Sequence, residues 1–406
     1  MRIQEAGIKN KTGIAEFDVY LSCIYTEREK AMSQKVKNKI NTVSAEGMKS
    51  FRIMNSRFSF ILMTVFVILV LLLNSCKKSS SSDDQKTTGE TLRFVWLADS
   101  RGDSAQNPVH DTVLKAIIKN IDSLTLKPDF VVFGGDMSFR GFIGHNYTFQ
   151  AWKNLFLPLT SKGIPLYTAI GNHELYYEHS DSGFLIGNQQ QFQVVFSENP
   201  SNGPAGYDHL AYSFTSQGGG SLFVVMDSYY ITHDSVPANL GGNIGAAQMS
   251  WLRTVVAQSK AAHKFLMIHT PYYYISDDPE EPSVANQTYT RLWSFLDSNK
   301  FDMYLCGHSH LFSRRTIDGS IPPNPQTSPF TPDWQNNVVQ LLNGTCGAGP
   351  GGGTIDPAVK AAWNVHNDHQ TYYFSVIDIN GNTATVNSYK GYVGRYNIFD
   401  TFTITK

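Results

Sequence analysis

Short apolar runs recur between residues 92 and 308, and most of them stop at an aspartate, an asparagine or a histidine. Each run is only a few residues long and places apolar side chains at successive positions. Runs of this kind, when polar or turn-forming residues bound them, indicate strands that are buried on both faces of a sheet. The predicted strands are 92–99, 129–136, 165–172, 221–227, 263–269 and 301–308.

Segments with helical periodicity lie between several of these strands. Residues 108–125 place valine, leucine and isoleucine at helical spacing, with Asn107 as the predicted cap and Pro108 in the first turn. Residues 245–260 and 287–299 also indicate helices. Because strands and helices alternate along the chain, the sequence predicts an α/β fold.

The end of the chain follows a different pattern. Residues 372–390 contain Asn380-Gly381, a favoured hairpin turn, and threonine alternates with valine or alanine beyond it. This pattern predicts a C-terminal antiparallel hairpin.

A separate apolar segment precedes the predicted α/β domain. Residues 58–73 are apolar except for Ser59 and Thr64, basic residues precede them, and Cys76 follows. The run is shorter than the roughly 20 residues of a transmembrane helix, and its layout is that of a secretory signal. The residues up to Cys76 are similar to a bacterial lipobox. This predicts a lipoprotein signal peptide over 48–76 with lipidation at Cys76, and a plain membrane anchor is the alternative.

These features divide the chain into four parts. Residues 1–47 are expected to be an incorrectly assigned upstream extension, with translation starting at Met48 or Met54. Residues 77–90 are rich in serine, aspartate, lysine and threonine, which indicates a flexible tether. Residues 91–406 form the expected catalytic domain. The lipid anchor would attach this domain to the bacterial cell envelope, at the outer membrane, facing either the periplasm or the cell surface.

Composition excludes some classes of function. The chain has 406 residues, a formal net charge of −1 and 41% hydrophobic residues, as in an ordinary globular protein. There is no nucleic-acid-binding signature, because such proteins usually carry a basic face. The four cysteines show neither a zinc-binding nor a CxxC spacing.

Most of the predicted strands end in side chains that can bind a metal ion. Mixed carboxylate, amide and imidazole ligands suit zinc, iron or manganese. Two such ions could activate a water and neutralise a phosphate ester, and a carboxylate can bridge them. The candidates are Asp99, Asp136, Asn172, His173, His269, His308 and His310.

In their order and spacing, these residues resemble the calcineurin-like metallophosphoesterases, and in particular the branch of the purple acid phosphatases. The resemblance implies a two-sheet α/β/β/α sandwich with a dinuclear centre of divalent or trivalent ions (Fe, Mn or Zn). It also implies that Asp136 bridges the ions, and that His173 acts beside the scissile phosphate as a general acid or charge stabiliser. The ligands implied for one ion are Asn172, His269 and His308, and those for the other are Asp99 and His310.

The chain departs from the family at one ligand position. Many members carry a histidine two residues after the first aspartate, whereas this chain has Arg101, which has no lone pair to offer. Purple acid phosphatases supply a tyrosine at the position of Phe139 instead. Either water or Asp103 completes this site, or the site binds its ion weakly. Arg101 either binds substrate phosphate or is a solvent-facing loop residue.

Arg140 is a second candidate for phosphate binding. The segment GDMSFRG has the spacing of the GDxxxRG motif of the protein-phosphatase branch, in which the arginine binds phosphate. A surface position for Arg140 is the alternative. A glycine-rich segment over 344–353 is expected to border the pocket.

The resemblance therefore implies a phosphomonoesterase that uses a metal-bridging hydroxide for in-line attack on a phosphate ester. Two alternatives remain open at this point. One is a phosphodiesterase or nucleotide hydrolase of the same fold. The other is a non-catalytic binding lipoprotein on a degenerate scaffold.

Overall fold

Two mixed β-sheets carry the residues that the sequence singles out. The structure, a computed structural model, describes residues 89–141, 149–177, 180–234, 242, 244–273, 287–319, 334–351, 366–368 and 370–406. All of them belong to one compact unit, Thr87–Lys406. The predicted upstream extension, the signal peptide with Cys76 and the tether as far as residue 88 lie outside the described residues.

The first sheet combines parallel strands with antiparallel ones. Its six strands lie in the order β15-β14-β13-β1-β2-β3. Strands β1, β2 and β3 are parallel to each other, and β13, β14 and β15 add antiparallel partners. The strands are β1 (Thr91–Leu97), β2 (Phe130–Phe133), β3 (Leu166–Thr168), β13 (Tyr372–Asn380), β14 (Thr383–Tyr392) and β15 (Arg395–Thr405).

The second sheet has seven strands, in the order β12-β10-β11-β9-β8-β7-β6. Its central strands β7, β8, β9 and β11 are parallel, whereas β6, β10 and β12 pair antiparallel. The strands are β6 (Tyr212–Thr215), β7 (Ser221–Val225), β8 (His263–Met267), β9 (Met303–Cys306), β10 (Phe312–Ile317), β11 (Val338–Asn343) and β12 (His366–Asp368). A small two-stranded sheet consists of β4 (Tyr176–Tyr177) and β5 (Ser180–Phe184).

The two large sheets pack face to face. Alternate side chains of β1 show how, because Phe94 and Trp96 belong to a core shared with the second sheet, in which Phe94 contacts Phe223 and Phe265 edge-on. The neighbouring Val95 and Leu97 of β1 point to the opposite face and join a separate core. A strand buried on both faces explains the unbroken apolar runs of the sequence.

Helices cover the outer faces of both sheets. Those on the first sheet are α1 (Asp111–Ser123), α2 (Phe149–Asn154), α3 (Leu157–Thr160) and α4 (Ile186–Val195). Those on the second sheet are α5 (Ala246–Gln258) and α6 (Gln287–Ser298). The arrangement is the predicted α/β/β/α sandwich.

Helix α1 begins later than predicted. It starts at Asp111 and its N-cap is His110, not Asn107. The reason is that Pro108 belongs to the preceding loop, where its carbonyl accepts hydrogen bonds from the amides of Gly102 and Phe139.

The predicted C-terminal hairpin is present. Strands β13 and β14 pair antiparallel, with Asn380 opposite Thr383, so the two central residues of the turn are Gly381 and Asn382, one position later than predicted. Gly381 has a φ of 58°, which glycine adopts without strain. Strand β15 extends the hairpin to three strands.

Within the described residues, no helix combines the length and the apolar character that a membrane span requires.

Candidate metal centre

The structure brings the predicted ligands together at one edge of the sandwich. In the first sheet, Asp99, Asp136 and Asn172 follow the carboxyl ends of β1, β2 and β3. In the second sheet, His269 and His308 follow the carboxyl ends of β8 and β9. The carboxyl edge of parallel strands is where open α/β sheets bind their ligands.

Three of the ligand candidates have an unusual backbone conformation. The φ angles of Asp99, Asp136 and His308 are 61°, 56° and 72°, in the left-handed region that non-glycine residues rarely adopt. Each such residue costs on the order of 1–3 kcal/mol. Hydrogen bonds hold these turns, among them that from the Asp99 amide to the Gly135 carbonyl at 3.0 Å. The strained turns let the chain leave each strand sharply and aim the side chain at the site.

Two motif glycines are needed because the ligand loops approach each other closely. A Cβ at Gly171, in the GNHE segment, would overlap Oδ1 of Asp136. A Cβ at Gly307, in the GHSH segment, would overlap Oδ2 of Asp99. Each glycine therefore makes room for the carboxylate of a different loop.

Four donor atoms converge in what we call the first ligand group, Asp136, Asn172, His269 and His308. Nε2 of His269 lies 3.2 Å from Oδ1 of Asp136. Nδ1 of His308 lies 3.2 Å from Oδ1 of Asn172 and 3.3 Å from Nε2 of His269. Asp136, Asn172 and His269 are almost fully buried.

This donor set fits a metal ion. Donor atoms held about 2.0–2.2 Å from one zinc-sized ion lie about 3.0–3.5 Å from each other, which is the spacing observed. The Nδ1 atom of His269 lies 2.7 Å from the Gly134 carbonyl, so Nδ1–H donates to that carbonyl and Nε2 is the nitrogen that faces the ion site.

Electrostatics within the group match a site built for a cation. Burial is the largest single effect on His269 and acts to lower its pKa, but the charge and hydrogen bond of Asp136, together with the charge of Asp99, raise the pKa to about 9. Binding of an ion at Nε2 of His269 would therefore release a proton. Burial and the positive charge of His269 lower the pKa of His308 to about 3. The imidazole of His308 is therefore neutral at physiological pH, as a metal ligand must be.

The second ligand group, Asp99, Asp136 and His310, shares Asp136 with the first and has fewer donors. Nε2 of His310 lies 4.0 Å from Oδ1 of Asp99. Both oxygens of Asp99 accept a hydrogen bond from the His308 amide, at 3.1 and 3.0 Å. Burial raises the pKa of Asp99 well above its usual value. Because each group contains Asp136, its carboxylate is placed where a bridging ligand would be.

Arg101 donates a hydrogen bond to His310, the histidine of the second ligand group. Its Nε–H donates to Nε2 of His310 at 3.3 Å, and Nη1 donates to the Gly102 carbonyl at 3.4 Å. Burial and the charge of Arg101 hold the pKa of His310 well below its usual range, so the imidazole is neutral and acts as the acceptor. Arg101 is thus directed at the site and is not a solvent-facing loop residue.

Asp103, the residue proposed to complete the second group, does not reach it, and Phe139 at the tyrosine position of the purple acid phosphatases offers no ligand. Asp103 is exposed, and its Oδ1 accepts a hydrogen bond from Nδ2 of Asn107 at 3.3 Å. Among the described residues, Asp103 belongs to neither ligand group. Phe139 has no donor atom on its side chain, and its ring centroid lies 6.2 Å from that of His173.

His173 stands beside Asp136 without being one of the converging donors. Its amide donates to Oδ1 of Asp136 at 3.1 Å, and its Nε2 lies 3.9 Å from Oδ2 of the same carboxylate. Nδ1 contacts the Phe139 carbonyl, which assigns the Nδ1 proton and leaves Nε2 facing the site.

Arg140 packs against Phe139, the residue whose ring lies beside His173. Its guanidinium carbon is 4.7 Å from the centre of the Phe139 ring, a cation–π contact. The side chain is half-buried, so its position is not that of a freely exposed surface residue.

Glu174 organises both ligand loops, and the sequence analysis did not assign it this role. Its buried carboxylate accepts hydrogen bonds from three amides, those of Asp136 at 2.8 Å, Met137 at 2.6 Å and Gly171 at 2.7 Å. Burial raises the pKa of Glu174 to about 7, with Asp136 adding to the effect. The sequence did hold a hint of this role, because Glu174 is the acidic residue that ends GNHE. A carboxylate buried at such a position needs several hydrogen-bond donors.

The glycine-rich segment borders the second ligand group, as predicted. The Ala348 amide donates to the Asp99 carbonyl at 2.8 Å, and the Gly351 amide donates to the His310 carbonyl at 2.9 Å. Cys346, in the same segment, is a buried free thiol, as is Cys306.

Comparisons with known proteins agree with this geometry. The sequence model described as calcineurin-like phosphoesterase matches residues 93–312. An uncharacterized protein of Mycobacterium tuberculosis is 23% identical over 368 residues, which cover 76% of this chain and 65% of that protein. Mouse (Mus musculus) tartrate-resistant acid phosphatase type 5 is 24% identical over 307 residues, which cover 71% of this chain and 80% of the phosphatase. The chain thus spans less than two thirds of the length of the mycobacterial relative.

Solved structures show the same fold. A purple acid phosphatase from yellow lupin (Lupinus luteus) seeds superposes with a TM-score of 0.53 at 18% identity, covering 78% of this chain and 54% of the lupin chain. A dimetal phosphatase from Danio rerio gives a TM-score of 0.53 at 14% identity, covering 77% and 98% of the two chains. Together with the match over residues 93–312, the fold and the ligand-bearing loops show that the chain belongs to the calcineurin-like phosphoesterase family.

Proposed function

We propose that this protein is a metal-dependent phosphoester hydrolase. The observation that carries the proposal is the first ligand group, in which four oxygen and nitrogen donors from both sheets form a chain of contacts at 3.2–3.3 Å, from Asp136 through His269 and His308 to Asn172. The spacing suits one ion, and the tautomer of His269 leaves the correct nitrogen available. Family membership supports the same function, because related proteins are named as phosphatases.

The residues that would hold metal are those of the two ligand groups, with Asp136 common to both. Metal bound there supplies Lewis acidity toward a phosphate ester and toward the attacking water. The mixed donors suit zinc, iron or manganese, and the donor set does not distinguish among them.

His173 would donate a proton to the leaving oxygen of the substrate or stabilise its negative charge. Its ring is fixed because Nδ1 contacts the Phe139 carbonyl, and its Nε2 faces Asp136 at 3.9 Å. A proton on Nε2 is therefore positioned at the site, where it can pass to the leaving oxygen or stabilise its charge.

The two arginines would bind the phosphate oxygens. A guanidinium forms paired hydrogen bonds with phosphate, and its charge does not depend on pH in the physiological range. Arg101 lies at the second ligand group, and Arg140 lies beside Phe139 and hence near His173. The two side chains would therefore contact the substrate from the two ends of the centre.

Within this function, phosphate monoesters are the proposed substrate class, because the named relatives include acid phosphatases. A comparison of hydrolysis rates on an aryl phosphate and on a bis-aryl phosphate tests the choice. We expect the monoester to be hydrolysed faster, and faster hydrolysis of the diester would favour the phosphodiesterase. If metal-loaded protein hydrolyses neither ester, the protein is a binding protein on a hydrolase scaffold. If Asp136→Ala leaves the rate unchanged, the hydrolysis does not depend on the proposed centre and the catalytic proposal is wrong.

We also propose that the protein is a lipoprotein of the bacterial cell envelope, anchored through Cys76. The support is the sequence up to Cys76, which is similar to a lipobox. Metabolic labelling with a radioactive fatty acid should label the wild type and not Cys76→Ser. Equal labelling of both proteins, or of neither, would contradict the anchor.

A further inference from the structure

We propose that Arg101 takes the place of a second metal ion. In this arrangement one ion resides in the first ligand group, and the guanidinium supplies the positive charge at the second. The inference rests on the proposed metal-dependent function, but it concerns the number of ions and not the reaction. It differs from the dinuclear centre that the family implies.

The backbone of Arg101 is fixed close to the centre. Its amide donates to the Asp136 carbonyl at 3.1 Å, and the residue forms a bridge with Val109 on the other side of its loop. The base of the side chain is thereby held beside the loop that carries Asp136. Moving the guanidinium away from the centre must then come from side-chain rotation alone.

The side chain in turn engages the nitrogen that a second ion would need. A neutral imidazole has a single in-plane lone pair, and that of His310 lies on Nε2, the atom to which Arg101 donates at 3.3 Å. His310 is the imidazole donor of the second ligand group. An ion can bind there only after the hydrogen bond from Arg101 has been broken.

The positive charge of Arg101 also opposes the binding of a second ion. The guanidinium stays protonated, and an ion bound to His310 would lie a few ångströms from it. At a half-buried site this repulsion is enough to weaken binding of a divalent ion by about 100-fold or more. The charge of Arg101 also reaches His308 of the first ligand group, where it is the last of the effects that lower the pKa. The first group is spared the competition for a nitrogen, because its histidines accept no hydrogen bond from an arginine in the described structure.

The arrangement leaves the guanidinium able to act on substrate. Two of its N–H groups are engaged, one with His310 and one with the Gly102 carbonyl. A guanidinium has five N–H groups, so the remaining ones are available for a phosphate oxygen. Arg101 would then provide the charge neutralisation that a second ion provides elsewhere.

The test is a count of bound ions on the full-length protein. Metal-stripped wild type, Arg101→His and Arg101→Ala would be titrated with Mn²⁺ by calorimetry, and the ions retained after dialysis would be counted by elemental analysis. Arg253→His is the matched control, because it places a new histidine on the exposed face of α5.

The wild type should bind one Mn²⁺ per chain tightly, with any second ion at least about 100-fold weaker. Arg101→His should retain two ions, because it removes the charge and adds a ligand. Arg101→Ala should strengthen the second ion less, because it only removes the charge, and Arg253→His should behave as the wild type. Electron paramagnetic resonance should show isolated Mn²⁺ in the wild type and exchange-coupled pairs in Arg101→His.

Two contrary outcomes have different meanings. If the wild type binds two ions with affinities within tenfold of each other, or if Arg101→His gains none, the inference about Arg101 is wrong and the proposed function stands. If the wild type binds no ion tightly, the metal-dependent function itself is wrong, and the inference fails with it.

Discussion

The first and second ligand groups share Asp136 and lie side by side, but their histidines are in different states. In the first group, Nδ1 of His308 and Nε2 of His269 lie 3.3 Å apart and face the same point. In the second group, Nε2 of His310 already accepts a hydrogen bond from Arg101. In one group two imidazole nitrogens converge on a single point with no arginine bonded to them in the described structure, whereas in the other the imidazole nitrogen is already engaged by an arginine.

Under the role proposed for Arg101, the presence of ligand residues alone does not determine how many ions a centre binds. Asp99 and His310 occupy the positions that the family resemblance implies, and their backbones are held by the glycine-rich segment. In our proposal a single side chain, that of Arg101, changes what the group can bind because it donates to Nε2 of His310. The predictions below test the contrast between the groups, beginning with the residue that they share.

Asp136→Asn should have the largest effect, because it removes the one carboxylate common to both groups. Asparagine tolerates the left-handed backbone that Asp136 adopts at a φ of 56°, so the loop should keep its shape. We expect kcat/KM on an aryl phosphate to fall at least about 1000-fold, together with loss of bound metal. Activity within tenfold of the wild type would mean that Asp136 holds no essential ion.

Paired substitutions should separate the groups. His308→Ala removes a donor that lies between Asn172 and His269, and we expect it to weaken the tightest ion by about 100-fold. His310→Ala should change the affinity of that ion by less than about threefold, because His310 belongs only to the second group. Competition with a fluorescent chelator measures both. An equal loss in the two variants would contradict the asymmetry.

Glu174→Gln should destabilise the frame on which both groups depend. Its carboxylate accepts three amide hydrogen bonds, and a glutamine amide offers only one oxygen in the same buried space. We expect the free energy of unfolding in urea to fall by about 2–4 kcal/mol.

The matched control for this variant is Glu198→Gln. Glu198 is largely exposed and pairs with Lys153, so its substitution should change the free energy of unfolding by less than about 1 kcal/mol. A similar small loss for Glu174→Gln would show that the loops do not depend on its carboxylate.

The smallest effect concerns Asp227, a buried carboxylate that follows β7 but belongs to neither ligand group. Burial raises its pKa from 3.8 to about 7. Since the folded state holds the proton more tightly, Asp227 favours folding at low pH, and this contribution is lost as the pH rises from about 4 to about 7 and above.

Asp227→Asn should remove this dependence. Asparagine can still accept the hydrogen bond that Oδ1 receives from the Tyr229 amide at 2.7 Å. The free energy of unfolding of the wild type should fall between pH 5 and pH 8. We expect the fall to be about 1–3 kcal/mol smaller in the variant. Thermal unfolding across this range is the measurement, and parallel pH profiles for the two proteins would rule the assignment out.

Much of the fold could be predicted from the sequence because its causes are local. Strands buried on both faces leave continuous apolar runs, as in β1, and the ligands follow directly at the strand ends. What the sequence left open depends on contacts between distant segments. The bond between Arg101 and His310 joins residues 209 positions apart, and no local pattern encodes it. The same applies to Glu174, whose amide partners Asp136 and Met137 lie in another loop.

The most direct test is a crystal structure of the wild-type protein grown with Mn²⁺, with ions located by anomalous scattering. Our account predicts one strong peak among Asp136, Asn172, His269 and His308, with Nε of Arg101 still donating to Nε2 of His310. Two peaks of equal strength, with Arg101 rotated away from His310, would contradict the account.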